Sequence, residues 1–197
     1  MLCLGATLGK EDKDMDDKSP MLELRGVSHV YVGRKGASLA VDRMELAVGH
    51  GEFISLVGPS GCGKTTVLSL LAGLFPPAAG QVLLGGKPVT GPSAKVGYML
   101  QQDCLLPWRT IRDNAGLGLD IAGRRAAAER NRVEMLLEEV GLAGTEGKYP
   151  GELSGGMRQR VALARTLAPE PMCCCSTSRS RLWICISRCS LRISCRR

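Results

Sequence analysis

The C-terminal end of the sequence lacks acidic residues. The sequence also has no long apolar runs and no paired cysteine motifs. The stretch 173–197 contains no Asp or Glu, so it offers no carboxylate for binding a hard metal ion. The longest apolar runs, such as VLSLLAGLF, are well short of the about 18 residues that a membrane-spanning helix requires. We therefore do not expect an integral membrane protein. The opening MLCLGATLGKEDKD has neither a basic leader nor a long apolar stretch, so we expect no signal peptide.

The nine cysteines are unevenly placed, because six of them lie in the stretch 173–197. There CCC is followed by Cys185, Cys189 and Cys195 without C-x-x-C pairs, which disfavours a metal site. A disulfide framework would require an oxidising compartment, which a chain without a signal peptide does not enter. The same stretch holds six arginines, and without them the formal net charge falls from +7 to about +1. The basic balance is therefore no evidence for a nucleic-acid partner, and we expect none.

A glycine-rich segment, GPSGCGKTT, fits the phosphate-binding loop G-x-x-x-x-G-K-[ST]. Its context is right, because the strand-like EFISLV precedes it and the helix-like TTVLSLLAGLF follows. Lys64 is expected on the β- and γ-phosphates of ATP, and the Thr65 hydroxyl on Mg²⁺. The alternative is a strand-to-helix turn without a ligand. The predicted nucleotide-binding residues of this segment are Gly58, Pro59, Ser60, Gly61, Cys62, Gly63, Lys64, Thr65 and Thr66.

A second motif, LSGGMRQR, lies about ninety residues further on. Its Ser154, Gly155 and Gly156 open a predicted helix and can present a hydroxyl and bare N–H groups to a phosphate. Alone, the segment would be an ordinary serine N-cap with flexible glycines. Together with the phosphate loop, it resembles the signature motif of ABC-type ATPases. The resemblance implies a head-to-tail dimer, in which the signature of one subunit contacts the nucleotide held by a second ATP-binding subunit.

Two further stretches extend the resemblance over residues 21–172. In VGYMLQQDCLLPWRTIRDN, Gln101 matches the family glutamine that reaches Mg²⁺ and the attacking water. The apolar LLPW after it resembles the surface that contacts a membrane subunit, although Trp108 and the two leucines could equally be core. Tyr31 occupies the position of the aromatic residue that stacks on adenine. As an isolated residue, Tyr31 would instead be a buried strand tyrosine.

Within the family, residues 85–119 resemble importer subunits for nitrate, sulfonate, taurine or pyrimidine precursors. This resemblance implies a membrane permease as partner and, indirectly, a periplasmic or extracellular solute-binding protein. It also implies a cytoplasmic position, peripheral on the inner face of the plasma membrane through the permease. Two other classes stay open: a soluble non-transport ABC ATPase, and a nucleotide-binding protein that never hydrolyses ATP.

The hydrophobic pattern predicts an α/β fold. The resemblance implies that this fold is a P-loop NTPase of the ABC type, in which the nucleotide-binding domain has a mixed sheet and a helical subdomain. It also implies that the domain is incomplete at its C-terminus. Strands are predicted at LELRGVS, MELAV, EFISLV, QVLL and VGYML. Helices are predicted at 124–141 and 154–168. The apolar stripes of these two helices are Val133, Leu136, Leu137 and Val140 in the first, and Val161, Ala164 and Leu167 in the second.

Three regions follow from this pattern. Residues 1–20 are charged and poor in apolar residues, so we predict a disordered extension, with Met21 as a possible start of the protein. By the resemblance, residues 21–172 are expected to form a partial ABC nucleotide-binding domain. Residues 173–197 are predicted to be a frameshifted, non-native tail, because their composition suits no packed domain.

The genetic code supports the frameshift. When the last base of each codon is joined to the first two of the next, Met172–Cys173 must encode valine. Both Cys–Cys junctions must encode leucine, and Trp183–Ile184 must encode aspartate. With allowed synonymous codons the hidden peptide is compatible with VLLLDEPFSALD, which resembles the family's Walker B strand and catalytic glutamate.

The tail as written lacks the Walker B aspartate, the catalytic glutamate and the downstream switch histidine of the family. His29 and His50 cannot replace that histidine, because both precede the phosphate loop. We therefore expect an ABC-type ATPase by family whose copy here does not hydrolyse ATP. We also expect loss of the strand beside the phosphate-loop strand, which would leave apolar sheet edges exposed.

Overall fold

The computed structural model describes residues 20–34, 36–124, 126–177 and 181–186. Apart from Pro20, the predicted extension 1–20 lies outside the described residues, as do 178–180 and 187–197 of the predicted tail. The described residues form two sheets and a group of helices, which confirms the α/β prediction.

The first sheet is antiparallel, with the strand order β2-β1-β4-β5. A long hairpin supplies two of its strands, β1 over Leu22–Gly33 and β2 over Gly36–Val48. The other strands are β4 over Ala79–Leu84 and β5 over Lys87–Pro88. The predicted strands LELRGVS, MELAV and QVLL are confirmed, but the hairpin is longer than predicted. Its outer part is exposed and carries no apolar alternation for a sequence pattern to detect.

The second sheet has the order β3-β8-β7-β6. Its strands are β3 (Phe53–Val57), β6 (Val96–Met99), β7 (Cys173–Thr177) and β8 (Arg181–Ile186). β6 and β7 are parallel, whereas β8 is antiparallel to both β7 and β3. The apolar sides of both sheets and helix α1 (Lys64–Leu71) form one core.

The expected loss of the strand after the signature helix is wrong. Cys173–Thr177 forms β7, and Cys173 and Cys175 are buried in the core. Cysteine behaves as a small apolar residue, so alternate cysteines can fill the inner side of a strand. The expected neighbour is also wrong, because β8 rather than β7 lies beside the phosphate-loop strand β3.

The helices pack around a second core. They are α2 (Ile111–Ala115), α3 (Leu117–Ile121), α4 (Ala127–Glu139) and α5 (Gly155–Leu167), with a short 3₁₀ turn at Pro150–Glu152. The predicted stripes of α4 and α5 are confirmed: Val133, Leu137, Val140, Val161, Ala164 and Leu167 are buried, and Leu136 is half-buried. None of the helices in the described part of the chain combines the length and the apolar character of a membrane-spanning segment.

Candidate nucleotide site

The phosphate loop joins the end of β3 to the first turn of α1, as the sequence predicts. Gly63 has φ +92°, and a Cβ there would lie 2.3 Å from the carbonyl oxygen of Ala40. Gly63 is also the N-cap of α1, which has no side-chain cap and no acidic residue in its first turn. The N–H groups of that turn therefore have no side-chain acceptor, and the helix dipole favours an anion beside them.

Lys64 folds back over this loop. Its Nζ donates to the carbonyl oxygens of Gly58 at 2.7 Å and Pro59 at 2.6 Å, and it lies 3.5 Å from Cys62 Sγ. The ammonium is thus held at the loop by neutral acceptors, with no carboxylate among these partners. A phosphate group would attract the same positive charge more strongly than these carbonyls do.

Tyr31 lies beside the phosphate-loop helix and keeps 43% of its surface exposed. Its hydroxyl lies 3.3 Å from the Thr66 hydroxyl, whereas Thr65 is exposed at the start of α1. The ring meets His29 edge-on at 4.8 Å and Phe75 edge-on at 6.2 Å. The alternative of a buried strand tyrosine is therefore wrong, and an exposed part of the Tyr31 surface is free to meet a ligand. Sequence reasoning missed His29 and Phe75, which carry no motif.

Helix α5 holds the turn that follows β6. Gln159 Nε2 donates to the carbonyl oxygen of Gln101 at 2.8 Å, and Arg158 forms a 2.9 Å ion pair with Asp103. Arg165 donates to the carbonyl oxygens of Asp103 at 2.6 Å and Cys104 at 2.8 Å. Gln101 itself is exposed. Sequence reasoning missed these partners, although the seven-residue spacing of Arg158 and Arg165 places them on one face of the helix.

The signature motif starts α5 as predicted. The Ser154 hydroxyl accepts the Met157 N–H at 3.3 Å, which makes it the N-cap. Gly155 and Gly156 are exposed, and nothing lies within 4 Å of a Cβ built on Gly156. α1 packs in the core of the sheets and α5 in the helical core. The structure therefore groups Tyr31 with the phosphate loop, and Gln101 with α5.

The LLPW segment is only partly exposed. Trp108 has 72% of its surface exposed, whereas Leu105 and Leu106 are half-buried and Leu105 packs against the helical core. Asn114, which is fully buried, holds this segment. The side-chain oxygen of Asn114 accepts the Leu106 N–H. The side-chain nitrogen donates to the carbonyl oxygens of Leu106, Arg109 and Thr110. An isolated asparagine carries no signal in the sequence that would have indicated this role.

The residues at the predicted magnesium position are of the right chemical type for that ion, but they supply too few ligands by themselves. The Thr65 hydroxyl and the Gln101 amide are oxygen donors, which Mg²⁺ prefers, but β7 adds only cysteine, serine and threonine. A hydrogen bond with Cys173, and then burial, raise the pKa of Cys175 well above its ordinary value, so this thiol is neutral near pH 7. Among the described residues, no group of three His, Cys, Asp or Glu side chains could hold a metal ion.

Comparison with known proteins supports the motif-based resemblance. The sequence profile of the ABC transporter family matches residues 41–175. Over 150 residues the chain is 49% identical to an uncharacterised ABC transporter ATP-binding protein, YtlC of Bacillus subtilis, covering 76% of this chain and 58% of that protein. Over 145 residues it is 48% identical to the taurine import ATP-binding protein TauB of Burkholderia thailandensis, covering 74% and 56%. The chain thus spans little more than half the length of these relatives.

A solved structure agrees with the sequence matches. The dimeric ATP-binding cassette MJ0796, in a post-hydrolysis state with ADP and Pi, superposes with a TM-score of 0.69 at 31% identity. The match covers 79% of this chain and 73% of that one. With the phosphate loop, the signature helix and the profile match in agreement, the chain belongs to the ABC transporter family, as an ATP-binding domain.

Proposed function

We propose that this chain is the ATP-binding subunit of an ABC importer, and that this copy binds ATP without hydrolysing it. The observation that carries the proposal is the contrast between two sides of one site. The phosphate loop is formed, with Lys64 across it and Tyr31 beside it. β7, at the position after the signature helix, contains no carboxylate.

Each residue of the site has a task in ATP binding. Lys64 offers its ammonium to the β- and γ-phosphates, and the uncapped N–H groups of α1 offer hydrogen bonds to the same oxygens. The Tyr31 ring offers a flat apolar surface to adenine. Thr65 and Gln101 would offer Mg²⁺ two oxygen ligands, and ATP phosphates and water would have to supply the others. When bound, the ion neutralises the charge of the β- and γ-phosphates.

The proposed partners follow from the relatives and from the placement of the two motifs. The helices that carry the two motifs, α1 and α5, pack in different cores. A second ATP-binding subunit, head to tail, would bring a signature to each nucleotide. The cassette MJ0796 is itself dimeric. A taurine importer among the relatives and the exposed Trp108 support a membrane permease as partner. The permease would hold the subunit at the inner face of the plasma membrane and link it indirectly to a solute-binding protein.

Hydrolysis is the step that this copy lacks. The residues after α5 supply cysteine, serine and threonine where a carboxylate would polarise the attacking water. Removing charge stabilisation of this kind costs about 100-fold or more in rate. We propose the frameshift after Met172 as the cause. Among other classes, a non-hydrolysing nucleotide-binding protein is favoured by the same β7 composition, whereas the exposed Trp108 disfavours a soluble non-transport ATPase.

The test compares phosphate release by the purified chain and by Lys64→Ala in the presence of Mg²⁺ and ATP. We expect equal rates, because Lys64 is the main phosphate contact and the unchanged chain already lacks the carboxylates. Nucleotide binding, measured in parallel, should be present in the unchanged chain and weaker in the variant. Magnesium-dependent release that exceeds the Lys64→Ala rate would show that the chain hydrolyses ATP.

A further inference from the structure

We propose that Arg165, on the signature helix α5, is a positioning residue that fixes the turn bearing Gln101, a proposed Mg²⁺ ligand. Nothing in the motifs assigns it a role. The proposal rests on the proposed function, since it needs ATP to bind at the phosphate loop. It concerns the magnesium-dependent part of that binding alone.

The turn after β6 is strained and needs support from outside. Cys104 has φ +46°, a left-handed conformation that costs a residue with a side chain about 1–2 kcal/mol. Cys104 is also exposed, so its own side chain does not hold the backbone there by burial. Such a conformation persists only where the surrounding structure enforces it.

Arg165 provides that support. Its two terminal nitrogens donate to two successive carbonyl oxygens, those of Asp103 at 2.6 Å and Cys104 at 2.8 Å. A planar guanidinium holds two N–H donors at a fixed spacing that suits two neighbouring carbonyl oxygens, whereas an ammonium has no such fixed pair of donors. Burial lowers the pKa of Arg165, and Cys104 and Asp103 act in the opposite direction. The guanidinium is charged at every physiological pH, so these hydrogen bonds are charge-assisted.

Two neighbours on α5 complete the support. Arg158 binds the Asp103 carboxylate at 2.9 Å, and Gln159 binds the Gln101 carbonyl oxygen at 2.8 Å. With its backbone held in this way, Gln101 keeps its exposed side chain at the end of β6. Because Ser154 is the N-cap of α5, one helix carries the signature motif and also fixes the turn that bears Gln101.

The experiment measures the affinity for a fluorescent ATP analogue with EDTA and with Mg²⁺. In Arg165→Gln we expect the gain in affinity from Mg²⁺ to fall about fivefold, because two charge-assisted hydrogen bonds are lost. Affinity in EDTA should stay unchanged, because the phosphate loop and Tyr31 are untouched. Arg165→Lys should behave like Arg165→Gln, since a positive charge alone does not replace the two parallel N–H donors of the guanidinium.

Arg160→Gln is the matched control. Arg160 is also half-buried on α5 and also donates to a carbonyl oxygen, that of Val140 at 3.0 Å, but this bond leads to α4. The Arg160→Gln variant should keep the full gain in affinity from Mg²⁺. A rescue variant adds a sharper test: Cys104→Gly removes the strain at φ +46°, so it should restore the gain in the Arg165→Gln background.

The outcomes separate the two proposals. If the unchanged chain does not bind the analogue in EDTA, the proposed function fails and Arg165 is not at issue. If it binds but gains no affinity from Mg²⁺, or if Arg165→Gln keeps the full Mg²⁺ gain, the positioning role is wrong. If Arg160→Gln loses the gain equally, or Cys104→Gly gives no rescue, the effect is a general weakening of α5, which also overturns the proposal. Thermal unfolding of each variant shows whether the domain remains folded.

Discussion

Gly63 lies where the chain turns from β3 into α1, and no side chain fits there. At φ +92°, a Cβ would meet the Ala40 carbonyl oxygen at 2.3 Å, far inside van der Waals contact. Gly61 also has a positive φ, +81°, but a Cβ there would meet nothing within 4 Å. A side chain at Gly61 would therefore cost only the energy of a left-handed backbone, whereas a side chain at Gly63 would add a steric clash.

We predict that Gly61→Ala lowers the free energy of unfolding by about 1 kcal/mol, the cost of a left-handed residue. Gly63→Ala should lower it considerably more, since the clash is with backbone of β2 and cannot be relieved by a rotamer change. Chemical denaturation of both variants measures the difference. Equal losses would mean that the approach of Gly63 to Ala40 is not maintained in solution.

The contribution of Tyr31 to nucleotide binding can be divided between its ring and its hydroxyl. We expect Lys64→Ala and Tyr31→Ala to weaken binding of a fluorescent ATP analogue, because each removes a proposed contact to ATP. Tyr31→Phe keeps the ring and loses only the 3.3 Å contact with Thr66, so it should bind nearly as well as the unchanged chain. Unchanged affinity in both alanine variants would place the nucleotide elsewhere.

The success of sequence reasoning at this scale depended on whether a residue's role is local. The phosphate loop acts through successive backbone groups of one segment, so its pattern is visible in one line of sequence. The support of the Gln101 turn joins residues 101–104 to α5 across more than fifty positions. No periodicity or composition reports a contact of that kind, and it therefore required the structure.

At the scale of elements, the predicted strands and helices were those with a buried face. α4 and α5 bury one stripe in the helical core, and this burial produces the spacing that the sequence shows. The outer part of the β1–β2 hairpin is exposed, and its two strands pair through their backbones. Its residues therefore carry no pattern, and the prediction ended β1 too soon and began β2 too late.

Asn114 shows how one buried amide can hold a whole segment. We predict that Asn114→Ala lowers the free energy of unfolding by about 2–3 kcal/mol, because its four hydrogen bonds are lost and buried backbone groups lose their partners. Trp108 should then report greater freedom of the LLPW segment by fluorescence anisotropy. Asn131→Ala, at an exposed position on α4, is the control. If the two variants are equally stable, the amide network contributes nothing.

At the scale of the whole molecule, the second sheet differs most from expectation. β8 lies between β3 and β7 and runs antiparallel to both, although β6 and β7 are parallel. A hairpin permits only this direction, because a parallel neighbour requires a crossover of a dozen or more residues. The few residues between β7 and β8 provide no such crossover.

The last prediction concerns the frame after Met172. The code forces V, L and L in the shifted peptide and allows a third L after them, and a continuous aliphatic run is what a strand covered on both faces requires. It also allows the aspartate and glutamate that β7 now lacks. We expect the frame-restored protein to unfold at a higher temperature, to dimerise with ATP and to hydrolyse it, in assays run beside the unchanged chain. Restoring the frame in a Lys64→Ala background should recover the stability without the hydrolysis. If the unchanged chain already unfolds cooperatively at the same temperature, and the restored protein gains neither dimerisation nor activity, then the tail is genuine and the frameshift is wrong.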